Sequence, residues 1–481
     1  MGFFRIAAIG MIWTTLSTVV RSFSSLLQIV VLTKYLSKED FGTVAIATLF
    51  IGFTQIFLDL GLSSGILYKQ NITSKEYSSL FWLNIFTGVL LTLIICLITP
   101  VIAIFYRDPQ LVRILSLLSL TILFSALGSQ HRTVQQKYKR FKYISIIEIV
   151  SSLIAVIIAI VLADKGYGIY SLVYSTISNV FFSNLLFLII GLVKDKNILF
   201  HFRLFETYSY LKIGVFSIGT QVFDYFSREI DTLIISTAFN REILGLYSLC
   251  KKLVVSLYGA ITPIVTKVLT PLLSEIQNDI IKLRLVYYDI VQVMAITIIP
   301  LFCIVACFSE GIIVYLYGQQ YVTGSMMMSL MAIYYGHLTT GTAISSLQIA
   351  TGHTDSGFYW TIFRILINTI VISIGSMFSM NVMILILLIA SFFSSPLSWK
   401  ITVKPLIGGT FWEYFFKSFY PFCCSIFMIV PIYIFFSKET GVLFMLLMVA
   451  FYLILYIICS CILFKDSFLI SKLNFLLFKR K

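Results

Sequence analysis

The chain has 481 residues, of which 59% are hydrophobic, 16% aromatic and only 12% charged, with a formal net charge of +14 and a mean hydropathy of +0.97. Soluble domains average roughly 45–50% apolar and about 25% charged residues, so this composition excludes a soluble globular protein and predicts a polytopic membrane protein. The basic excess is expected to mark loops held on one side of a membrane, and no nucleic-acid partner is read from it.

Apolar runs of about twenty residues, long enough to cross a ~30 Å hydrocarbon core as helix, recur from end to end. They predict an all-α protein with about fourteen transmembrane helices. The first run carries Arg21 and continues to about Leu36 with no convincing cleavage site, so it reads as an uncleaved span. Further spans centre near Phe53, Leu91, Leu120, Ile154 and Asn179, then Phe226, Ala260, Thr297, Tyr335, Asn368 and Leu387, and finally Phe427 and Val449. Between them, HRTVQQKYKRFK (131–142) holds five Lys/Arg and no acid, VKDKNILFHFR (193–203) holds three, and KLNFLLFKRK (472–481) holds four. All three fall on one side when fourteen helices alternate. That side collects roughly twenty Lys/Arg against about seven opposite, which predicts both termini in the cytoplasm. These segments read as topology signals, with lipid headgroups a secondary partner for 131–142.

An internal repeat sits at an offset of about six spans. LSKEDFGTVA (36–45) and FNREILGLYS (239–248) each follow one apolar span and open another. Each carries basic–Glu–x–apolar–Gly: Lys38, Glu39, Gly42 against Arg241, Glu242, Gly245. The even offset makes the repeat parallel. It predicts two pseudo-symmetric six-helix lobes, 1–200 and 201–408, with two extra helices in 409–481. Such duplication suits an alternating-access carrier, in which one lobe rocks against the other.

Ionisable groups at mid-membrane cost about 2.5–3.5 kcal/mol each and mark functional or paired positions. Arg21, Asp59, Glu148, Asp224, Arg228, Glu229, Asp231, Lys251, Lys252, Lys267, Asp289 and Arg364 are so placed. Asp224, Arg228 and Asp231 follow i, i+4, i+7 on one helical face, with Glu229 turned about a quarter turn away. They form either a self-neutralising triad or the wall of a wet cavity. Arg21 has no acid on its own helix and needs an anion or Asp59 as partner. Arg21, Arg228, Lys251, Lys252 and Arg364 together suit an anionic headgroup or sugar, because Arg pairs bidentately and Lys offers a point charge. Asp59, Asp224, Asp231 and Glu148 read as coupling or charge-pairing groups. Lys417 reads as a snorkelling side chain at a span entrance.

Some chemistry has no signal. The eight cysteines lack ligand spacing and read as small core residues. The four histidines, of which His337 alone is expected within a span, show no metal pattern. No Walker A, dinucleotide fingerprint or nucleophile elbow occurs. The expectation is therefore no cofactor, no metal and no enzyme activity, with a proton or sodium gradient as the energy source.

Several stretches resemble the Wzx-type polysaccharide transporters, the lipid-linked oligosaccharide flippases of the O-antigen and colanic-acid kind. They are GLSSGILYKQNITSKEYSSLFWLNIFTGVLL (61–91), IAIFYRDPQLVRILSLLSL (102–120), KYKRFKYISIIEIVSSLIAVIIAIVLADKGYGIYSLV (137–173) and REIDTLIISTAFNREILGLYSLCKKL (228–253), with TPLLSE (270–275) and LQIATGHTDSG (347–357) fitting more loosely. The resemblance implies the multidrug/oligosaccharidyl-lipid/polysaccharide exporter fold, two lobes in a V plus two helices, in the bacterial cytoplasmic membrane. It implies that undecaprenyl-diphosphate-linked oligosaccharide is flipped to the outer leaflet for O-antigen, capsule or exopolysaccharide assembly. Membrane lipids, a polysaccharide polymerase and a chain-length regulator are the implied partners. Arg228 and Asp231 lie inside the matched second-lobe stretch, Asp59 directly precedes the first stretch, and Arg21 lies outside all of them. Two alternatives remain at this point. A drug or metabolite exporter of the same superfamily should have a pocket richer in acids. A membrane-embedded glycan polymerase or ligase should carry a sizeable external loop.

Overall fold

The computed structural model describes residues 2–69, 72–195, 200–436 and 441–463. Among them the chain is all helix. In the first half α1 (Gly2–Leu32), α2 (Lys38–Leu58), the short α3 (Leu62–Tyr68), α4 (Ser74–Phe105), α5 (Gln110–Lys137), α6 (Phe141–Asp164) and α7 (Ile169–Ile190) are followed by α8 (Leu204–Ala238) and α9 (Arg241–Glu275). The second half adds α10 (Ile280–Cys307), α11 (Ser309–Leu316), α12 (Ser325–Thr340), α13 (Thr342–Thr351), α14 (Thr354–Ser376), α15 (Met380–Ser398), α16 (Lys404–Ile407), α17 (Phe411–Phe436) and α18 (Val442–Leu463).

Twelve helices are long and apolar enough to cross a membrane, among the described residues. The other two expected spans fall on α8 and α12. Helix α8 has 35 residues but carries Glu206, Lys212, Asp224, Arg228, Glu229 and Asp231. Helix α12 has only 16 residues before the chain breaks at Gly341 and resumes as α13. Side chains such as Leu97, Ile104 and Phe427, each at least 77% exposed, lie where lipid chains would cover them.

The chain packs as two compact units, Met1–Ser248 and Leu249–Lys481, divided within α9. In the first, α5 packs on α4 and α7, and α6 on α1 and α7. A core of Leu62, Ile66, Tyr77, Leu80, Val134 and Tyr210 ties α3 to α4, α5 and α8. Helix α2 stops at Leu58 because Leu60 and Gly61 turn to φ +47° and +69°. Glycine is needed at 61 for its left-handed backbone, and also because a Cβ there would run into the backbone of Gly214 on α8. In the second unit α10 packs on α12 and α17, and α14 on α15. Its core joins Ile299, Cys303 and Cys307 to Phe422, Tyr452 and Tyr456. Cys250, Cys303 and Cys307 are buried thiols, whereas Cys96 and Cys423 are exposed.

The two copies of the repeat motif meet inside the first unit. A Cβ on Gly42 would collide with the carbonyl oxygen of Arg241, and a Cβ on Gly245 with the carbonyl oxygen of Lys38. Each glycine thus faces the basic residue that opens the other copy. Lys38 Nζ reaches Glu242 Oε1 at 2.9 Å. Arg241 reaches Asp108 at 2.7 Å, and that carboxylate is only 2% exposed. Thr43 Oγ1 donates to the same oxygen at 3.0 Å, and the Gln110 N–H to the other at 3.0 Å.

This crossing predicts that Gly42→Ala lowers the thermal stability of the purified protein by about 1–3 kcal/mol, the usual cost of overpacking. Gly219→Ala, on α8 with nothing within 4 Å of the added carbon, serves as the control. Equal melting temperatures for the two variants would refute the close-packed crossing.

Candidate functional site

The buried charges resolve differently in each unit. In the first, Glu148 on α6 binds two guanidiniums at once: Arg21 Nη1 on α1 at 3.0 Å, and Arg132 Nη2 on α5 at 2.8 Å. Arg132 Nε adds a third contact at 3.2 Å. The carboxylate is 12% exposed, the two arginines 51% and 47%. One carboxylate therefore holds two cationic heads side by side, and the cluster keeps a net positive charge. Arg21 does not pair with Asp59, whose carboxylate is taken up by Ser63. Its partner is Glu148.

Arg132 was hidden inside the stretch read as a topology signal. That stretch is not simply a loop, since α5 continues to Lys137. His131 is buried and its Nδ1 is 2.8 Å from the Tyr77 hydroxyl. The signal that could have exposed Arg132 is local: it follows Ser129, Gln130 and His131 on a helix whose residues 114–128 carry no ionisable group.

Asp59 closes the break between α2 and α3. It accepts from the Ser63 N–H at 3.1 Å and from Ser63 Oγ at 2.7 Å, and Ser63 in turn sits 2.8 Å from Thr133 Oγ1. On α8, Arg228 Nε donates to the Asp224 carbonyl at 3.3 Å. Asp231 accepts from the Thr232 N–H at 2.7 Å and from the hydroxyl of Tyr247. Glu229, expected to point elsewhere, accepts from Thr232 Oγ1 at 2.9 Å and so shares that residue with Asp231. Asp231 and Glu229 thus share Thr232 as a donor, while Asp224 meets Arg228 through its backbone carbonyl.

In the second unit Lys251 is half-buried and Lys252 exposed. Lys417 does more than snorkel: it reaches Asp289 Oδ1 and Gln292 Oε1, each at 3.0 Å, and joins α17 to α10. The side chain of Lys267 lies outside the described residues.

Arg364 lines a cavity of about 310 Å³ within this unit. Three helices build its wall, each with one polar face at helical spacing. Helix α14 presents Gly357, Trp360, Thr361, Arg364 and Asn368; α15 presents Ser391, Ser394, Ser395 and Ser398; α13 presents Ser345 and Gln348. Tyr258, Thr262, Tyr334, His337 and Tyr414 are among the other residues that line it. His337 stacks on Phe392 with ring centroids 4.1 Å apart, and its Nε2 lies 3.1 Å from Ser395 Oγ. The serine face was readable as SFFSSPLS (391–398) inside an apolar run, and the search for formal charges passed over it.

A family model described as "Polysaccharide biosynthesis protein" matches residues 31–326. The chain belongs to this family. The lipopolysaccharide biosynthesis protein WzxC of Escherichia coli strain K12 is 23% identical over 418 residues, 87% of this chain and 85% of WzxC. The amylovoran biosynthesis protein AmsL of Erwinia amylovora is 27% identical over 360 residues, 73% of this chain and 91% of AmsL. A solved structure of the lipid II flippase MurJ in an inward closed conformation superposes with a TM-score of 0.75 at 19% identity, covering 95% of this chain and 99% of MurJ. That likeness establishes the all-α multi-pass membrane fold. Membership in the family matches the resemblance carried by 61–91 through 228–253.

The shared carboxylate generates a test. A double-mutant cycle on Arg21 and Glu148, and another on Arg132 and Glu148, should each give a coupling of about 0.2–1 kcal/mol, since both guanidiniums are half-exposed. Additive melting shifts in both cycles would rule out the bridge.

Proposed function

We propose that the protein is a flippase that moves undecaprenyl-diphosphate-linked oligosaccharide units from the cytoplasmic to the outer leaflet of the bacterial cytoplasmic membrane. Its product would feed O-antigen, capsule or exopolysaccharide assembly, and it would act without catalysing a reaction. The single observation that carries this reading is the Arg21–Glu148–Arg132 cluster. Two guanidiniums held side by side on α1 and α5 by one carboxylate keep a net positive charge and spare N–H donors of the kind that a diphosphate pairs with. The names borne by the relatives, lipopolysaccharide and amylovoran biosynthesis proteins, support a surface-glycan substrate. The MurJ likeness supports a lipid-linked one.

The cycle we propose is alternating access with both termini in the cytoplasm, driven by a proton or sodium gradient. Membrane lipids surround the protein, and a polysaccharide polymerase and chain-length regulator would consume its product. Arg228, Lys251 and Lys252 are proposed as further contacts for the anionic headgroup, and Asp59 and Asp231 as coupling carboxylates.

Complementation of flippase-null strains of defined glycan type tests the reading. Surface glycan should return with the wild-type chain. Arg21→Ala or Arg132→Ala should cut it about ten- to hundredfold, the worth of one charge-assisted hydrogen bond. Protein levels in the membrane should not change. Normal glycan from both variants would sink the headgroup role, and drug resistance without glycan would replace the flippase with an exporter. For coupling, Asp59→Asn or Asp231→Asn should abolish the dependence of output on pH or sodium; unchanged responses in both variants reject that role.

A further inference from the structure

The second unit gathers its backbone irregularities around one imidazole. His337 lies on α12, which breaks four residues later at Gly341. Three helices around it each carry a proline beside a residue of the same wall. Pro300 follows Ile299 on α10, Pro396 follows Ser395 on α15, and Pro421 precedes Phe422 on α17. A proline lacks the N–H that would bond the carbonyl four residues earlier, so a helix bends most readily at that point. Four weakened helices thus meet at His337.

The ring also stands between two spaces. His337, Thr340, Ser395 and Tyr414 line both the cavity of about 310 Å³ and a smaller void of about 20 Å³, which reaches Ser418 and the phenylalanines of α15 and α17. A void of that size has room for one water, which needs roughly 10–15 Å³, and here hydroxyls surround it. Ser395 spends its proton on the Ser391 carbonyl at 3.1 Å. The imidazole therefore donates through Nε2 to Ser395 Oγ, also at 3.1 Å. In the neutral ring the other nitrogen then carries the lone pair that a proton takes. Imidazole is the side chain whose ordinary titration falls near neutral pH.

Charge narrows the ion. Besides His337, the titratable groups facing these two spaces are Tyr258 on α9, Tyr334 on α12, Arg364 on α14 and Tyr414 on α17. Among the described lining residues α10, α13 and α15 add none, and no Asp or Glu is present. Arg364 is already engaged within the protein. The wall has no carboxylate to coordinate sodium, whereas a proton needs one lone pair.

We propose that His337 is a proton-binding site of the second unit, holding a proton in one arrangement of α10, α12, α15 and α17 and releasing it in another. A proton drives a cycle only where two conformations hold it differently. The broken and proline-bearing helices supply the means to change the ring's surroundings. The proposal rests on the flippase reading for its use. It names the proton as the ion of this site and is separate from the roles proposed for Asp59 and Asp231.

Nitrogen NMR of the full chain in lipid nanodiscs, with its histidines isotopically labelled, tests the site directly. The chain has four histidines, so the His337 signal is the one lost in His337→Gln. It should titrate between about pH 4 and 8. Flipping is read in proteoliposomes with a fluorescent undecaprenyl-diphosphate-linked oligosaccharide. There a gradient of about one pH unit should shift the distribution between leaflets about tenfold for each proton carried. A sodium gradient should not shift it. His337→Gln should abolish the pH response. Ser418→Val fills the small void and leaves the imidazole in place. It should blunt the response while the ring still titrates, and it decides the matter if His337→Gln does not fold. A ring that takes no proton across this range, a response to sodium in place of pH, or a full pH response in both variants overturns the proposal. A titrating His337 in a chain that moves no lipid-linked glycan would remove the flippase reading and leave the site standing. Flipping driven by a pH gradient in His337→Gln would do the reverse.

Discussion

Every membrane-spanning helix here must carry its polar groups through a slab that cannot solvate them. An unpaired charge at the centre of that slab costs about 2.5–3.5 kcal/mol, a sizeable share of the net stability of a folded domain. The structure meets this constraint with local partners. Even at the α4–α5 turn, outside the spans, Asp108 is almost wholly buried and gathers Arg241, Thr43 and the Gln110 N–H. Asp289 and Gln292 share Lys417. Glu148 goes further and takes two arginines. A cluster built only to cancel charge would need one. The surplus cation is where pairing for stability and readiness for an anionic ligand diverge.

Around its cavity the second unit meets the same constraint with neutral hydroxyls. Serine and threonine hydroxyls fold back on the carbonyls three or four residues earlier, as is common for these side chains in membrane helices. The cost of a polar face on α15 is thereby largely met within the helix, from Ser391 to Ser395. The remaining lone pairs face an open space. The first unit thus gathers two guanidiniums on one carboxylate. The second spreads neutral acceptors over a surface around one guanidinium.

Much of this was legible in the sequence because hydrophobic length is a one-dimensional property. The runs centred on Leu91, Leu120 and Ile154 became α4, α5 and α6 with little displacement. Expected spans at Phe226 and Tyr335 were harder, since the charges of α8 and the break at Gly341 dilute the apolar signal. Pairing was not legible. Arg21 and Glu148 lie 127 residues apart, and no local pattern joins them. Arg132 was concealed by a rule that is statistically sound: basic clusters at span ends do set topology, but the same residue can also face inward along its helix. The serine face of α15 was missed because the search weighed formal charge, whereas the cavity is built from groups that have none. The lobe boundaries at 200 and 408 express a repeat in the sequence. The packing division at Ser248 expresses contacts, which is a different property.

The repeat supplies one more step. Two copies of basic–Glu–x–apolar–Gly lie against each other, with each glycine under the carbonyl that opens the opposite copy. This reciprocity is the geometry of a self-complementary contact, in which residue i meets j and j meets i. A motif that packs on its own duplicate constrains both copies together. A side chain at Gly42 disturbs the position of Arg241, and one at Gly245 the position of Lys38. Arg241 in turn neutralises the buried Asp108. The glycine is therefore coupled to the buried charge through a single backbone, so close packing and charge compensation at this crossing stand or fall together.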